Sequence, residues 1–309
     1  MSVHEFHGGN PPNILAPQAL ALLQRRGVAT PLQIALVHKR NGRWLAWRWI
    51  DVQREVERLS AALQQQGFGA GSRLAVSGAY EPTLLFFTLS AQRAGGEVVS
   101  VAQSVGAQAL TALLARIRPS HAWVERREVL SSWRQADAVL PLYSLHATEG
   151  VQTLQALYGQ AASSQPSVLP LHRLQRAALT WVEEGTDWQQ GLSRVLEHWL
   201  TSGETLAFPE DGIAAARDRA DLAPTHLLLS EARLQRLAEE IDARLPAPGT
   251  WQRRLCDWAA SAPEQGLRRL LKVRVRRLLG FQRLQKISQT PLQQSRQQVW
   301  LDPRGSRAA

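Results

Sequence analysis

Residues 72–100 read SRLAVSGAYEPTLLFFTLSAQRAGGEVVS, and this stretch decides the fold class. The apolar run before the first glycine predicts a short buried strand, and EPTLLFFTLSAQRAGG predicts a buried helix that ends at a glycine pair. EVVS begins the next strand. The helix AQALTALLARIRP and the strand HAWVE follow at residues 107–125. The series strand–helix–strand–helix–strand favours a parallel sheet with helical crossovers, and therefore an α/β fold.

The sequence on either side extends this pattern. Upstream, two apolar-alternating runs flank Asn41 and Gly42, which predicts a β-hairpin. Asp51 then stands where a helix N-cap belongs, ahead of VQREVERLSAALQQQG. The periodicity weakens between residues 134 and 170. Beyond it, RAALTWV, ETLAFPE and THLLLS predict strands separated by helices, and the end of the chain is predicted to be basic and helical.

The net charge of +10 is unevenly distributed along the 309 residues. Residues 251–309 contain 13 Lys and Arg against 3 Asp and Glu, whereas the remaining 23 basic and 23 acidic residues cancel. No apolar run reaches the ~18 residues that a membrane span needs. The first residues lack the basic-then-apolar pattern of a signal peptide, and the single cysteine, Cys256, forms no internal disulfide. These features predict a cytoplasmic protein.

Several segments, taken in order, resemble the AMP-binding, adenylate-forming family, and within it the long-chain acyl-CoA synthetases. Residues 35–82, ALVHKRNGRWLAWRWIDVQREVERLSAALQQQGFGAGSRLAVSGAYEP, carry the likeness with a hairpin, a helix and a Gly-x-x-x-Gly-Ser-Arg-Leu-Ala turn. Pro224, Thr225 and Arg233 match a later segment of the family. The resemblance implies a truncated, degenerate member with only the N-terminal large domain, which is an α/β fold of mostly parallel sheet with flanking helices.

The resemblance also suggests a division of the chain into three parts. Residues 1–165 would form the N-terminal AMP-binding-like subdomain. Residues 166–250 would contain the phosphate-loop region and a second β/α part. Residues 251–309 would form a basic helical C-terminal segment.

The stretch Trp181–Gly191, WVEEGTDWQQG, stands where the family has a phosphate loop close to Tyr-Thr-Ser-Gly-Thr-Thr-Gly-x-Pro-Lys-Gly. Such a loop cradles ATP phosphates with backbone N–H groups, hydroxyls and a lysine. Here Glu183, Glu184 and Asp187 place three carboxylates where the triphosphate would lie, and Gln190 replaces the lysine. At ~4 Å and an effective dielectric constant near 20, each carboxylate would repel a phosphate charge by roughly 4 kcal/mol. The residues of this vestigial phosphate loop are Thr180, Glu183, Glu184, Gly185, Thr186, Asp187, Gln190 and Gly191.

The family's other nucleotide motifs are missing as well, namely its aromatic-Gly-x-Thr-Glu motif, its ribose-binding Asp and its C-terminal lysine domain. No catalytic residue is predicted. The histidines lack tight ligand spacing, so they are assigned to the surface or core and no metal site is predicted. We therefore expect a non-catalytic pseudoenzyme that uses no cofactor and acts as a binding or scaffolding partner. The alternative is an AMP-forming acyl-CoA ligase completed by another chain, which would use ATP, Mg²⁺ and CoA.

The basic run LRRLLKVRVRRLLGFQRLQK is the strongest candidate for an interaction surface. As a helix, it would carry leucines on one side and basic residues on the other, namely Arg268, Arg269, Lys272, Arg276 and Arg277. Such a helix suits an acidic protein partner or an anionic membrane surface, which would place the protein at the inner face of a membrane. The alternatives are an inert inherited face and a nucleic-acid-binding module. Trp44, Trp47 and Trp49 also alternate with arginines on the hairpin. They could stack bases, or they could form a hairpin face packed on the domain with arginine stems covering the rings.

Overall fold

The computed structural model describes residues 16–159, 166–260 and 267–288. Its strands are β1 (Ile34–Arg40), β2 (Arg43–Arg48), β3 (Arg73–Ser77), β4 (Glu97–Ser100), β5 (His121–Val124), β6 (Leu142–Ser144), β7 (Val151–Thr153), β8 (Ser167–Val168), β9 (Leu179–Trp181), β10 (Thr205–Phe208), β11 (His226–Leu228) and β12 (Lys286–Ser288). Its α-helices are α1 (Ala16–Ala29), α2 (Trp49–Gln65), α3 (Pro82–Arg93), α4 (Ala107–Ile117), α5 (Leu130–Ala136), α6 (Leu154–Tyr158), α7 (Leu171–Leu174), α8 (Gly191–Ser202), α9 (Ala215–Leu222), α10 (Glu231–Arg244), α11 (Trp251–Ala260) and α12 (Leu267–Leu279).

The strands form two sheets. The seven-stranded sheet has the order β12-β11-β9-β10-β1-β2-β8, in which β2 runs antiparallel to β1 and β8 and the other pairs are parallel. The five-stranded sheet has the order β4-β3-β5-β6-β7 and is parallel throughout. The predicted α/β fold with mostly parallel sheet is therefore confirmed. The prediction that the end of the chain is helical is wrong for Lys286–Ser288, which form β12 and pair in parallel with β11.

Three hydrophobic clusters separate the structure into layers. The largest lies between the two sheets and packs α1, α2, α3 and α8 there. A second cluster covers the opposite face of the seven-stranded sheet with residues of α9, α10 and α12. A third covers the opposite face of the five-stranded sheet with residues of α4 and α5. Burial of both faces explains why most strands read as continuous apolar runs rather than alternating ones.

The hairpin turns at Asn41 and Gly42, whose φ angles of 49° and 70° are both in the left-handed region. This is the backbone that a two-residue hairpin turn needs. Trp44, Trp47 and Trp49 are all buried. The nucleic-acid interpretation of these three tryptophans is wrong, because their rings pack into the cores on the two faces of the sheet instead of facing solvent.

The helix after the hairpin begins earlier than its predicted cap. α2 starts at Trp49 with Arg48 as the N-cap residue, so Asp51 is the third residue of the helix. The Arg48 backbone N–H donates to Asp51 Oδ2 at 3.0 Å. Asp51 is therefore not the N-cap residue, and its side chain instead reaches back to accept the backbone N–H of the N-cap residue, as the third residue of a capping box does.

Candidate functional site

A cleft of about 1120 Å³ opens at the carboxyl ends of strands from both sheets. Glu81 reaches it from beyond β3 and Glu125 from the end of β5. The loop after β9 contributes Glu183, Glu184, Gly185 and Asp187. His38 of β1 also lines it. The carboxyl edge of parallel strands is where α/β folds place ligands, so this cleft is the candidate functional site.

The backbone of the vestigial phosphate loop joins the two sheets. The Thr186 N–H donates to Gly78 O at 2.9 Å, and the Gly78 N–H donates to Thr186 Oγ1 at 3.2 Å. The Tyr80 N–H donates to Glu184 O at 2.8 Å. A Cβ on Gly185 would lie 2.5 Å from Gly78 O, so glycine permits this close approach. The amide of Thr186 is thus committed to the protein and is not available to cradle a phosphate.

Glu183 is a buried ion-pair centre. Its side chain is only 1% exposed, and its two carboxylate oxygens lie 2.7 Å from Arg219 Nη1 and 2.8 Å from Arg233 Nη2. The indole N–H of Trp181 also donates to Oε2, at 2.7 Å. Burial lowers the pKa of Arg219. The expectation that Glu183 presents a free negative charge to a triphosphate is wrong, because two arginines neutralise it inside the protein.

The other two acidic side chains of the loop are also engaged. Glu184 Oε1 accepts the backbone N–H of Ser230, the N-cap residue of α10. Burial raises the pKa of Glu184. Asp187 Oδ1 accepts the backbone N–H of Ser104 at 3.0 Å and its hydroxyl at 2.6 Å. Each carboxylate therefore ties the loop to a different neighbouring segment.

The predicted loop residues do not all lie at the cleft. Glu183, Glu184, Gly185 and Asp187 line it, and no lysine is among the lining residues of the described chain. Thr180 is buried on β9, away from the cleft. Its hydroxyl instead lies beside side chains at the amino end of the sheet.

The start of α8 completes the loop. Gln190 is the N-cap residue of α8 and has a φ of 58°. Gly191 packs against Trp188 and the hydroxyl of Tyr80. In the position of the family's lysine, Gln190 therefore serves as the residue that turns the chain into the helix.

The cleft is strongly acidic. Among the described residues, its lining contains arginines at three positions, Arg126, Arg233 and Arg236. Against these stand the carboxyl groups of Glu81, Glu125, Glu184, Asp187, Glu210, Asp211, Glu231 and Glu240, whereas that of Glu183 is neutralised by Arg219 and Arg233.

Two buried groups in the cleft wall have shifted pKa values. Burial raises the pKa of Glu81 to about 7, although the Arg40 guanidinium 3.6 Å away opposes the shift. Burial lowers the pKa of His38 to about 3. The wall therefore holds a neutral imidazole and a carboxyl group that ionises near neutral pH, and neither supplies positive charge for phosphates.

The basic segment is only partly as predicted. Arg276 is buried in α12, where its guanidinium donates to Phe281 O and Leu284 O, both at 3.1 Å. Its assignment to the interaction surface is wrong, because it fastens the chain that follows the helix. Arg277 is exposed, beside exposed Leu278. The side chains of the other three predicted residues, Arg268, Arg269 and Lys272, lie outside the described residues. In the part of the chain that the structure covers, no helix combines the length and apolar character needed to cross a membrane.

The architecture is that of the large domain of adenylate-forming enzymes. The adenylation domain of a carboxylate reductase from Mycobacterium chelonae is similar at a TM-score of 0.63 and 16% identity, over 90% of this chain and 54% of that one. VinN is similar at 0.53 and 19%, over 72% and 64% of the two chains. The luciferase-like enzyme of the nonluminescent mealworm Zophobas morio is similar at 0.58 and 11%, over 89% and 72%.

These comparisons show the fold alone, because the identities are low. The chain spans about half of the carboxylate reductase domain and less than two thirds of VinN. No protein-family model matches the sequence, and no curated protein matches it.

Proposed function

We propose that this chain is a non-catalytic, acyl-CoA-synthetase-like protein that acts as a binding or scaffolding partner of an acyl-activating system. The observation that carries the proposal is the vestigial phosphate loop, whose three carboxylates all bind other groups of the same chain. Arg219 and Arg233 neutralise Glu183, and Glu184 and Asp187 hold two neighbouring segments. In this proposal the loop holds the two sheets together and binds no phosphate.

Electrostatics supports the same conclusion. Asp187 is exposed at the cleft, and a carboxylate ~4 Å from a phosphate charge costs roughly 4 kcal/mol at an effective dielectric constant near 20. That energy corresponds to about a thousandfold loss in affinity. The described cleft lining contains no lysine, and of its three arginines Arg233 already pairs with Glu183 and Glu240 and Arg126 with Glu128. The proposal therefore includes no bound ATP, Mg²⁺ or CoA.

The test is pyrophosphate release from ATP and Mg²⁺, with CoA and a panel of medium- to long-chain carboxylic acids. The purified chain should release no pyrophosphate above background while its unfolding transition shows that it is folded. Gly185→Val is the matched control, because its side chain would collide with Gly78 O and disrupt the loop. Release that this substitution abolishes would overturn the proposal. Release that survives it would come from a contaminating enzyme.

A second candidate function is an AMP-forming acyl-CoA ligase that another chain completes. The observation in its favour is that the cleft remains open, at about 1120 Å³, rather than filled by side chains. The pyrophosphate assay also tests this candidate when the C-terminal lobe of an acyl-CoA synthetase is added. Acid-dependent release that requires both chains would favour the ligase, and continued inactivity would favour the scaffold.

The proposed partner surface is the exposed side of α12, which we expect to meet an acidic protein or an anionic membrane. Arg277 supplies charge, and Val273 and Leu278 supply exposed apolar area. Co-sedimentation with phosphatidylserine vesicles tests the membrane version. Leu278→Glu should release the protein, whereas Val139→Glu, at an exposed valine elsewhere, should not. Binding to oligonucleotides that falls steeply with salt would favour a nucleic-acid module instead.

A further inference from the structure

Two histidines and a glutamate meet at the amino end of the seven-stranded sheet, away from the cleft. His198 comes from α8, Glu204 lies just before β10, and His226 begins β11. One ligand atom from each lies within 4.8 Å of the others. Among the described residues this is the one group of three or more metal-binding side chains with that geometry. We propose that it is a zinc-type divalent metal site.

The distances from Glu204 to the two histidines match those between ligands of a tetrahedral ion. With Zn–N and Zn–O bonds near 2.0 Å, two ligand atoms of a tetrahedral site lie about 3.3 Å apart. Glu204 Oε2 lies 3.5 Å from His198 Nε2 and 3.3 Å from His226 Nδ1. The two imidazoles meet edge to face, with ring centroids 4.6 Å apart. The separations from Glu204 to the two histidines are therefore within a few tenths of an ångström of the tetrahedral value, and all three ligand atoms lie within 4.8 Å of one another.

Neighbouring groups orient these ligands. His226 Nε2 lies 2.7 Å from Ser288 Oγ on β12. When this nitrogen carries the proton and donates to Ser288, the lone pair of Nδ1 faces the carboxylate of Glu204. A cation between the two acceptors stabilises that arrangement, as in other histidine–metal sites where the second ring nitrogen donates to an outer group.

Thr180 supplies the fourth neighbour. Its hydroxyl oxygen lies 2.5 Å from Glu204 Oε2 and 3.1 Å from His198 Nε2. It is positioned to bind the ion itself or to hold a bound water. The side chains of His198 and Glu204 are about one-fifth exposed, which gives an ion a path from solvent.

The competing interpretation is a hydrogen-bonded cluster without metal. In it, Ser288 donates to His226 Nε2 and the proton on Nδ1 fills the gap to Glu204. Lys286, on the strand beside His226, adds a positive charge nearby that favours this interpretation over a cation. The two interpretations share every distance above and differ only in whether the ligand atoms release their protons to a metal.

The experiment is a competition titration of the purified full chain with Zn²⁺ against a chromophoric chelator, after the protein has been stripped of metal. We expect one Zn²⁺ per chain. His198→Gln and Glu204→Gln should weaken binding by more than about 100-fold, and Ser288→Ala, which removes only the orienting contact, by about 10–100-fold. His172→Gln, at an exposed histidine on α7, is the matched control and should bind like the wild type.

Two results would overturn the metal site. One is a folded wild-type chain that takes no Zn²⁺ from the chelator, and the other is binding that persists in both His198→Gln and Glu204→Gln. Because a substitution in the cluster could also unfold the chain, Co²⁺ loaded into the unmodified protein provides an independent test. Intense visible absorption from a tetrahedral ion is expected, whereas the weak absorption of an octahedral ion would contradict the geometry.

Discussion

Removing the charge of Glu183 should destabilise the protein strongly. Glu183→Gln keeps the size of the side chain and an acceptor for Trp181, but it leaves Arg219 and Arg233 without their shared carboxylate. Arg219 and Glu183 are almost fully buried, at 2% and 1% exposure. Breaking a buried ion pair by neutralising one partner costs about 3–5 kcal/mol, because the remaining charge stays buried. That is a large part of the ~5–15 kcal/mol by which domains are stable.

Urea unfolding followed by tryptophan fluorescence measures this loss. With a slope near 3 kcal/mol per molar urea, the midpoint should fall by about 1 M or more. Asp187→Asn is the matched control in the same loop, where the carboxylate is exposed and the loss should stay below about 1.5 kcal/mol. A Glu183→Gln midpoint within the error of the wild type would refute the idea that this ion pair braces the loop.

Three further substitutions test separate features. Burial raises the pKa of Glu81 from 4.5 to about 7, so the stability it contributes is complete below pH 4.5 and is lost as the pH rises through 7. Glu81→Gln should therefore match the wild type near pH 4.5 and exceed it by up to about 3 kcal/mol at pH 8, and a pH-independent difference in urea unfolding would contradict this. Arg276→Met should lower the free energy of unfolding by about 2–3 kcal/mol, because two hydrogen bonds to carbonyls are lost. Arg277→Met, at an exposed position, should change it by no more than about 0.5 kcal/mol. Equal urea midpoints for the two variants would contradict the role of Arg276 in holding the segment after α12. Gly42→Ala should lower the free energy of unfolding by about 1–2 kcal/mol, because the φ of 70° is strained for alanine. Gly69→Ala, at a position with open space and no positive φ, should lower it little. Similar melting temperatures for the two variants would contradict strain at the turn.

Much of the fold follows from local sequence signals. The Asn41-Gly42 turn, the glycine-terminated helices and the apolar strand runs all have local physical causes, and the structure contains the corresponding elements. The weak region between residues 134 and 170 contains β6, β7 and β8, which are two or three residues long. Strands this short show no periodicity, because their positions depend on pairing with neighbours that are distant in sequence.

The candidate site was predictable only in outline. The sequence places Glu183, Glu184 and Asp187 after a strand that ends at the cleft, as found. Their partners were not predictable, because Arg219 lies 36 residues from Glu183 and reaches it only in the folded chain. The same limit hid the cluster of His198 and His226, which lie on a helix and a strand without any regular ligand spacing.

We propose that the vestigial phosphate loop holds the two sheets together and does not bind triphosphate. The most direct test is calorimetric titration of the folded chain with MgATP. We predict no saturable binding below about 1 mM, an affinity weaker than about −4 kcal/mol. Saturable binding at one equivalent per chain and submillimolar concentration, lost in Gly185→Val, would contradict the claim.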